Sequence, residues 1–422
     1  MIALLALTLT VSTAAPVLTL DEALQAARQN NLDIQVARAR LAQSRLLTNR
    51  AWAGYLPTIT VGGSYTRNST EAAVSFPGVP EEIVIQPYDQ LAGRAEVRQA
   101  IIAPTLWPAI RNAGISEDVA ELTTENVRRE VLFGVAQAYF GAASYQEAIR
   151  AAEFLLEVNK AREADTQKRF DAGTVTKVAL LRAQLDRARA EQDLVRARNS
   201  YLSAKLALST LILREGDFTL ELPPVPQVPS EDVDLVKQAL EQRPDVAAAR
   251  RNVDLAVGRR TGAWFAYAPS VGFSGLYQIS NAAGFTGQND IWSLTLSAQW
   301  TLWDGGLREI SLREESARVA EATAQQKQAE LRAVEEVSRS RLDYESAKAN
   351  LSKAEEALAL ARETQRLTEI SFKAGVATYL EVADANAALT NAEVGAISER
   401  LQTSLAALRL LRAAGLFTAA TD

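Results

Sequence analysis

Two stretches of this chain repeat one another, and the order of elements inside each repeat limits what it can fold into. Asp33, Arg38, Trp52, Tyr55, Pro57 and Tyr65 recur at an offset of 212 as Asp245, Arg250, Trp264, Tyr267, Pro269 and Tyr277. Phe170, Ala172, Gly173, Thr176 and Arg198 recur at an offset of 202 as Phe372, Ala374, Gly375, Thr378 and Arg400. Each copy reads as a helix, about ten residues of alternating polarity, a loop, a second alternating segment, and then a long helix-turn-helix. A soluble bundle has no use for short strand pairs spliced between such helices. A fold that is part membrane β-barrel and part helical conduit does.

The first repeat covers residues 15–213 and the second 231–422. Thr19, with Glu22 three residues on, has the pattern of a capping box, so a helix is predicted from Thr19 to Gly54, bent near Asn30 and Asn31 and ended by Pro57. The first strand pair spans 58–102. In it Ile59, Val61, Gly63 and Tyr65 alternate with Thr58, Thr60, Gly62, Ser64 and Thr66. Residues 68–90, with Pro77, Pro80 and Pro87, are expected to form a long loop. The partner strand, Ala92 to Ile102, has Ala95, Val97 and Ile101 on one face and Arg94, Glu96 and Arg98 on the other. The second pair spans 270–303 and alternates more cleanly. Val271, Phe273, Tyr277 and Ile279 share one face, and so do Trp292, Leu294, Leu296, Ala298, Trp300 and Leu302. Segments of ~10 residues with one apolar face and aromatics near both ends fit a transmembrane barrel around a wet lumen. A small soluble sheet packed on helices has the same pattern. Four strands cannot close a barrel, and an open edge in lipid leaves backbone groups unpaired, so membrane-spanning strands demand an oligomer.

Nearly unbroken helical stretches run from Trp107 to Asp171 and from Leu307 to Lys373, each reaching ~100 Å at 1.5 Å per residue. Tyr344, Ala347, Leu351, Ala354, Leu358 and Ala361 step by three and four, as do Val178, Leu181, Leu185 and Ala188 in a return helix, and both rows are predicted coiled-coil seams. Gly173 and Gly375 are placed to end the long helices in a left-handed conformation, and Thr176 and Thr378 to cap the helices that return. Between the repeats, residues 214–230 hold Pro223, Pro224, Pro226 and Pro229, and an extended linker across the outside is expected there.

The chain has no Cys and no His, and its single Met is Met1. That excludes Cys or His nucleophile-base pairs, zinc on thiolate or imidazole, and thioether copper sites. No phosphate-binding glycine loop is present and no cofactor or metal site is indicated, so no catalytic residues are assigned. The balance of 45 basic and 51 acidic residues is mixed along the helices, with no basic stripe for nucleic acid. Met1 to Val11 are apolar and Ser12, Thr13, Ala14 and Ala15 are small, the pattern of a signal peptide over 1–14 cleaved after Ala14. Its basic n-region is missing, which leaves an upstream start or a short membrane-buried helix as alternatives. No other run approaches the ~20 apolar residues of a spanning helix.

The duplicated order, the Leu56-Pro57 exit from helix to strand, the Trp303-Asp304-Gly305-Gly306 exit from the last strand and the paired Phe-x-x-Gly-x-x-Thr turns together resemble the TolC-like outer-membrane efflux protein (outer-membrane factor) family, over about residues 17–415. The resemblance implies a mixed membrane β-barrel and α-helical barrel. A homotrimer would contribute four strands per chain to a twelve-stranded barrel set in outer-membrane lipid, and the long coiled-coil helices would form a tunnel across the periplasm. It also implies a passive exit duct, in a tripartite efflux pump or a type I secretion system. Such a duct works with a periplasmic adaptor (membrane fusion) protein and an inner-membrane pump or ABC exporter.

By the same resemblance the helix tips, with Gly173, Thr176, Gly375 and Thr378, would dock the adaptor. Glu381 and Asp384, which share one helix face, would ring the periplasmic aperture. Some relatives hold that aperture shut with an Arg and a Tyr bonded to a Thr-Asp pair; the matching residues here are Ala377, Phe372, Val178 and Ala179, which cannot form those bonds. Packing of Phe372 on Val178 is one substitute. The competing reading is a periplasmic or cytosolic coiled-coil scaffold, which would stay soluble after lysis.

Overall fold

The computed structural model describes residues 16–75, 82–229, 234–282 and 288–417; the expected signal peptide and cleavage site lie outside them. The chain divides into two compact units. One comprises Met1–Arg38, Thr123–Ala247 and Ala329–Asp422, the other Ala39–Leu122 and Ala248–Gln328.

In the first unit, strand β1 (Val17–Leu18) leads into helix α1 (Leu20–Asn30). Thr19 and Glu22 form the expected capping box. The predicted bend is a break at Asn31. Its side-chain Oδ1 accepts from the Asp33 amide at 2.9 Å and the Ile34 amide at 3.3 Å, so Asn31 caps the start of helix α2 (Leu32–Ala53). Its Nδ2 donates to the Leu211 carbonyl at 2.9 Å, near the end of helix α4 (Lys177–Ile212). The repeat places Arg243 at the equivalent break, between helix α5 (Leu235–Gln242) and helix α6 (Pro244–Phe265). There a largely buried guanidinium forks onto Asp245 at 2.7 Å and reaches Glu336 at 2.7 Å. Both breaks are held by a polar side chain, Asn31 on backbone groups and Arg243 on two carboxylates.

The core of this unit is built on helix α3 (Leu106–Asp171), with Leu132, Phe133, Val135, Ala136, Tyr139 and Phe140 all buried. Tyr139 is the centre of an unexpected anchor. Its hydroxyl lies 2.7 Å from the Leu18 carbonyl, to which it donates, and it accepts from the Glu221 amide at 3.3 Å. Burial pushes this phenol up to about 12. The linker expected on the outside is therefore partly a core element. Phe218 and Leu220 are buried, and strand β2 (Thr219–Leu220) pairs in parallel with β1. The prolines begin only at Pro223, so nothing prevents the preceding residues from pairing and packing.

Within one chain, helix α4 buries a row other than the predicted seam. Val178 and Leu181 are 58% and 52% exposed, and Leu185 and Ala188 are exposed too. The buried row is Leu180, Ala183, Ala190 and Leu194, the last two packed with Leu156 of α3. Two apolar rows run along this helix, and the sequence period fits both. The row predicted on helix α7 (Leu307–Lys373) is at least partly buried throughout, and Thr403 of helix α8 (Tyr379–Ala413) donates to the Ala347 carbonyl at 3.0 Å.

The second unit holds an antiparallel sheet of strands β3 (Thr58–Arg67), β4 (Asp89–Ile102), β5 (Ser270–Ser280) and β6 (Asp290–Gln299), in that order, with β3 and β6 at its edges. Register pairs such as Val61 with Ala95, Ala95 with Tyr277 and Tyr277 with Trp292 align one apolar face across all four strands. The last strand stops at Gln299 rather than running to Leu302, and β4 starts before Ala92. The expected loop over 68–90 contains a small hairpin, β7 (Ala72–Val74) with β8 (Ile83–Gln86). Pro87 lies just outside that pairing and does not interrupt it.

Candidate functional site

The two helix-turn tips have nearly the same backbone. Gly173 and Gly375 sit at φ +73° and +77°, in the left-handed region. At the first tip the Gly173 amide donates to the Phe170 carbonyl at 2.9 Å and the Thr174 amide to the Arg169 carbonyl at 2.9 Å. At the second the Gly375 amide donates to Phe372 at 3.0 Å and the Val376 amide to Ser371 at 2.9 Å. Both are Schellman turns, which satisfy the last carbonyls of α3 and α7. A Cβ at either glycine would meet nothing within 4 Å, so the requirement is conformational and not steric.

The caps that follow differ, and the difference concerns charge. Thr176 accepts from the Ala179 amide at 3.3 Å. Thr378 accepts from the Glu381 amide at 3.3 Å, and the Glu381 carboxylate accepts in turn from the Thr378 amide at 2.6 Å and hydroxyl at 2.9 Å. That closed box holds the Glu381 carboxyl below its ordinary range, through the backbone bond first and the hydroxyl second. In the first repeat the matching positions are Ala179 and Arg182, so the paired acids Glu381 and Asp384 belong to the second tip alone. Both acids are exposed.

Phe372 faces Arg169, whose guanidinium is 5.1 Å from the ring centroid and is also paired with Asp165 at 2.8 Å. Val178 stays open to solvent, as do Val376 and Leu380 beside the turns. Lys177 stands 5.3 Å over Phe170 on its own hairpin. The Arg169 contact to Phe372 links the first hairpin to the second. Sequence spacing gave no sign of it, because it joins residues distant in the chain.

The sheet is the second functional element. Its apolar face shows Ile59, Val61, Tyr65, Trp292, Leu294 and Leu296 to solvent in the isolated chain. Where the helices meet the strands, Trp52 packs at a tilt beside Tyr55 with centroids 6.3 Å apart and Trp264 beside Tyr267 at 5.7 Å. Trp300 donates from Nε1 to the Tyr267 carbonyl at 3.0 Å. This aromatic level and the one at Tyr65, Tyr277 and Trp292 bracket the apolar face, as interfacial girdles do. The Trp-Asp-Gly-Gly exit has its own logic. Gly305 and Gly306 take φ +76° and +89°, while Asp304 receives the Gly306 amide at 3.2 Å and pairs with Arg308 at 2.9 Å.

Among the described residues no group of three or more His, Cys, Asp or Glu could hold a metal, and no helix is long and apolar enough to cross a membrane. A sheet with one apolar and one polar face, bracketed by aromatics and joined to helices of 66 and 67 residues, fits a protein with strands in lipid and helices in water. The outer membrane efflux protein family matches residues 23–212 and 235–416, and this chain belongs to it.

Three relatives illustrate the spread. TolC of Vibrio cholerae is 24% identical over 96% of this chain and 92% of its own length. The cobalt-zinc-cadmium resistance protein CzcC of Cupriavidus metallidurans is 25% identical over 57% of this chain; that match spans only about half of CzcC, 54%. The crystal structure of the outer membrane protein VceC from Vibrio cholerae shares the fold, with a TM-score of 0.76 at 22% identity over 94% of this chain and 96% of VceC. The protein is thus an outer-membrane efflux channel with a membrane β-barrel and a long periplasmic helical tunnel. Membership of an outer-membrane family sets aside the soluble scaffold.

Proposed function

We propose that the protein is the passive exit duct of a tripartite efflux pump or a type I secretion system. It works as a homotrimer, joined through a periplasmic adaptor to an inner-membrane pump or ABC exporter that supplies the energy. The observation that carries the reading is the four-stranded sheet with β3 and β6 as free edges. In lipid such edges must be paired, and pairing β6 of one copy with β3 of the next closes a ring of twelve strands from three copies. The duct itself performs no catalysis.

The tips are the adaptor-docking surface in this reading. Gly173, Thr176, Gly375 and Thr378 set two matching turns that present exposed apolar residues such as Val178 and Val376. Glu381 and Asp384 from each chain ring the aperture, where carboxylates crowded on a narrow axis attract cations. Co-expression with a cognate adaptor and pump, in a host lacking its own channel, tests the whole assignment. Export should be restored. It should fall when Gly173→Val and Gly375→Val strain the turns, while the yield in the outer membrane stays near wild type. Unchanged export by both variants would remove the tips from the mechanism.

A further inference from the structure

The polar face of the sheet carries charge in one place only. Following the register, that face comprises Thr58 to Thr66 at alternate positions on β3, Gly272 to Ser280 on β5 and Ile291 to Gln299 on β6, with no charged residue among them. On β4 it holds Arg94, Glu96 and Arg98 in succession. Both arginines bond to the single carboxylate of Glu96. The Glu96 side chain is only 10% exposed, whereas that of Arg98 is 70% exposed. One carboxylate between two guanidinium groups leaves one positive charge per chain. Arg98 commits its Nε to Glu96, which leaves the donors of its terminal nitrogens for other partners.

Beside Arg98 lies a groove of about 480 Å³, lined on the polar side by Thr58, Ser274, Ser297 and Gln299, and no carboxylate lines it. Ser274 is the direct cross-strand partner of Arg98. A guanidinium tethered to Glu96 at one edge and flanked by hydroxyl and amide groups on the groove side, where no carboxylate lines the wall, has the chemistry of an anion site.

We propose that this groove, backed by the Arg94-Glu96-Arg98 row, is an anion-accepting subsite on the lumen wall, taking carboxylate or phosphate groups of solutes that pass through the barrel. Glu96 tethers both arginines, one to each of its oxygens. The site gives the barrel a preference opposite in sign to that of the acidic second tip. Solutes bearing an anionic group are retained briefly at the wall, and a trimer presents three such sites.

The inference rests on the exit-duct reading, and one experiment separates the two. The full-length protein is reconstituted in planar bilayers, and citrate is added on the barrel side. Channel conductance tests the duct; its absence in wild type would overturn that reading and this one with it. Given conductance, citrate should reduce the current in a voltage-dependent way. In Arg98→Gln the half-blocking concentration should rise roughly tenfold or more, the loss of one charge-assisted hydrogen bond. Arg98→Lys, which keeps the charge, should retain most of the block. Ser274→Asp keeps the guanidinium and sets a carboxylate opposite it, and it should raise the half-blocking concentration by at least as much. Citrate block that is absent in wild type, or unchanged in both Arg98→Gln and Ser274→Asp channels of normal conductance, would overturn the subsite.

Discussion

Leu296→Arg is the sharpest test of which sheet face meets lipid. Leu296 is 71% exposed on the apolar face, opposite Phe273, and lies midway between Trp292 and Trp300. Four residues at ~3.4 Å each, on a strand tilted by about 40°, put it ~10 Å from either aromatic level, near the centre of a band ~25 Å tall. Arg at that depth costs ~2–4 kcal/mol per chain, hence ~6–12 kcal/mol when three chains assemble. Ser297→Arg is the matched control, because the next residue points to the polar face at the same depth and should cost close to nothing. The assay is the yield of detergent-extracted outer-membrane oligomer and its urea midpoint. Leu296→Arg should collapse the yield or lower the midpoint strongly, and Ser297→Arg should do neither. Equal behaviour of the two variants would refute the facing assigned to the sheet.

Three further outcomes follow from the first unit. Tyr139→Phe removes the hydroxyl shared by Leu18 and Glu221 and should cost about 1–3 kcal/mol, read as faster hydrogen exchange at the Leu220 and Glu221 amides. For Asp245, burial opposes ionisation but the Arg243 guanidinium outweighs it and holds the pKa below the ordinary value. Its contribution is therefore present above about pH 4 and lost as pH falls through the depressed value, so Asp245→Asn should flatten the acid limb of a stability profile. Glu381→Gln with Asp384→Asn should weaken cation selectivity and divalent-cation block in bilayer recordings with assembly intact. Wild-type values in that double variant would reduce both acids to helix-start residues.

Local chemistry was legible in the sequence wherever one residue type decides the conformation. Gly173 and Gly375 marked the left-handed turns, Thr19 marked a cap with Glu three residues on, Thr378 marked a cap, and Pro57 and Pro269 marked the exits into strands. The bounds of α3 and α7 followed because neither stretch has a proline after its first turn. Partner choice was not legible. Helix α4 has one apolar row at Leu180 and Ala183 and another at Val178 and Leu181, and only tertiary packing decides which is buried within the chain. Phe218 is buried in the same core as Tyr139, far away in sequence, and the short parallel pairing of Leu18 with Leu220 lies beside the Tyr139 hydroxyl. Arg94, Glu96 and Arg98 were assigned to one face, but alternation alone could not tell that Glu96 is sheltered between two partners while Arg98 borders a groove.

The central claim is that free sheet edges force closure by three copies, and the mass of the assembled particle tests it most directly. The chain of 422 residues is 45.7 kDa. Native mass spectrometry of protein extracted from the outer membrane should give a particle of three chains, each shortened by any segment removed on export. It should also remain three chains as detergent is diluted. A folded particle carrying a single chain, with its strands intact by infrared spectroscopy, would contradict the account.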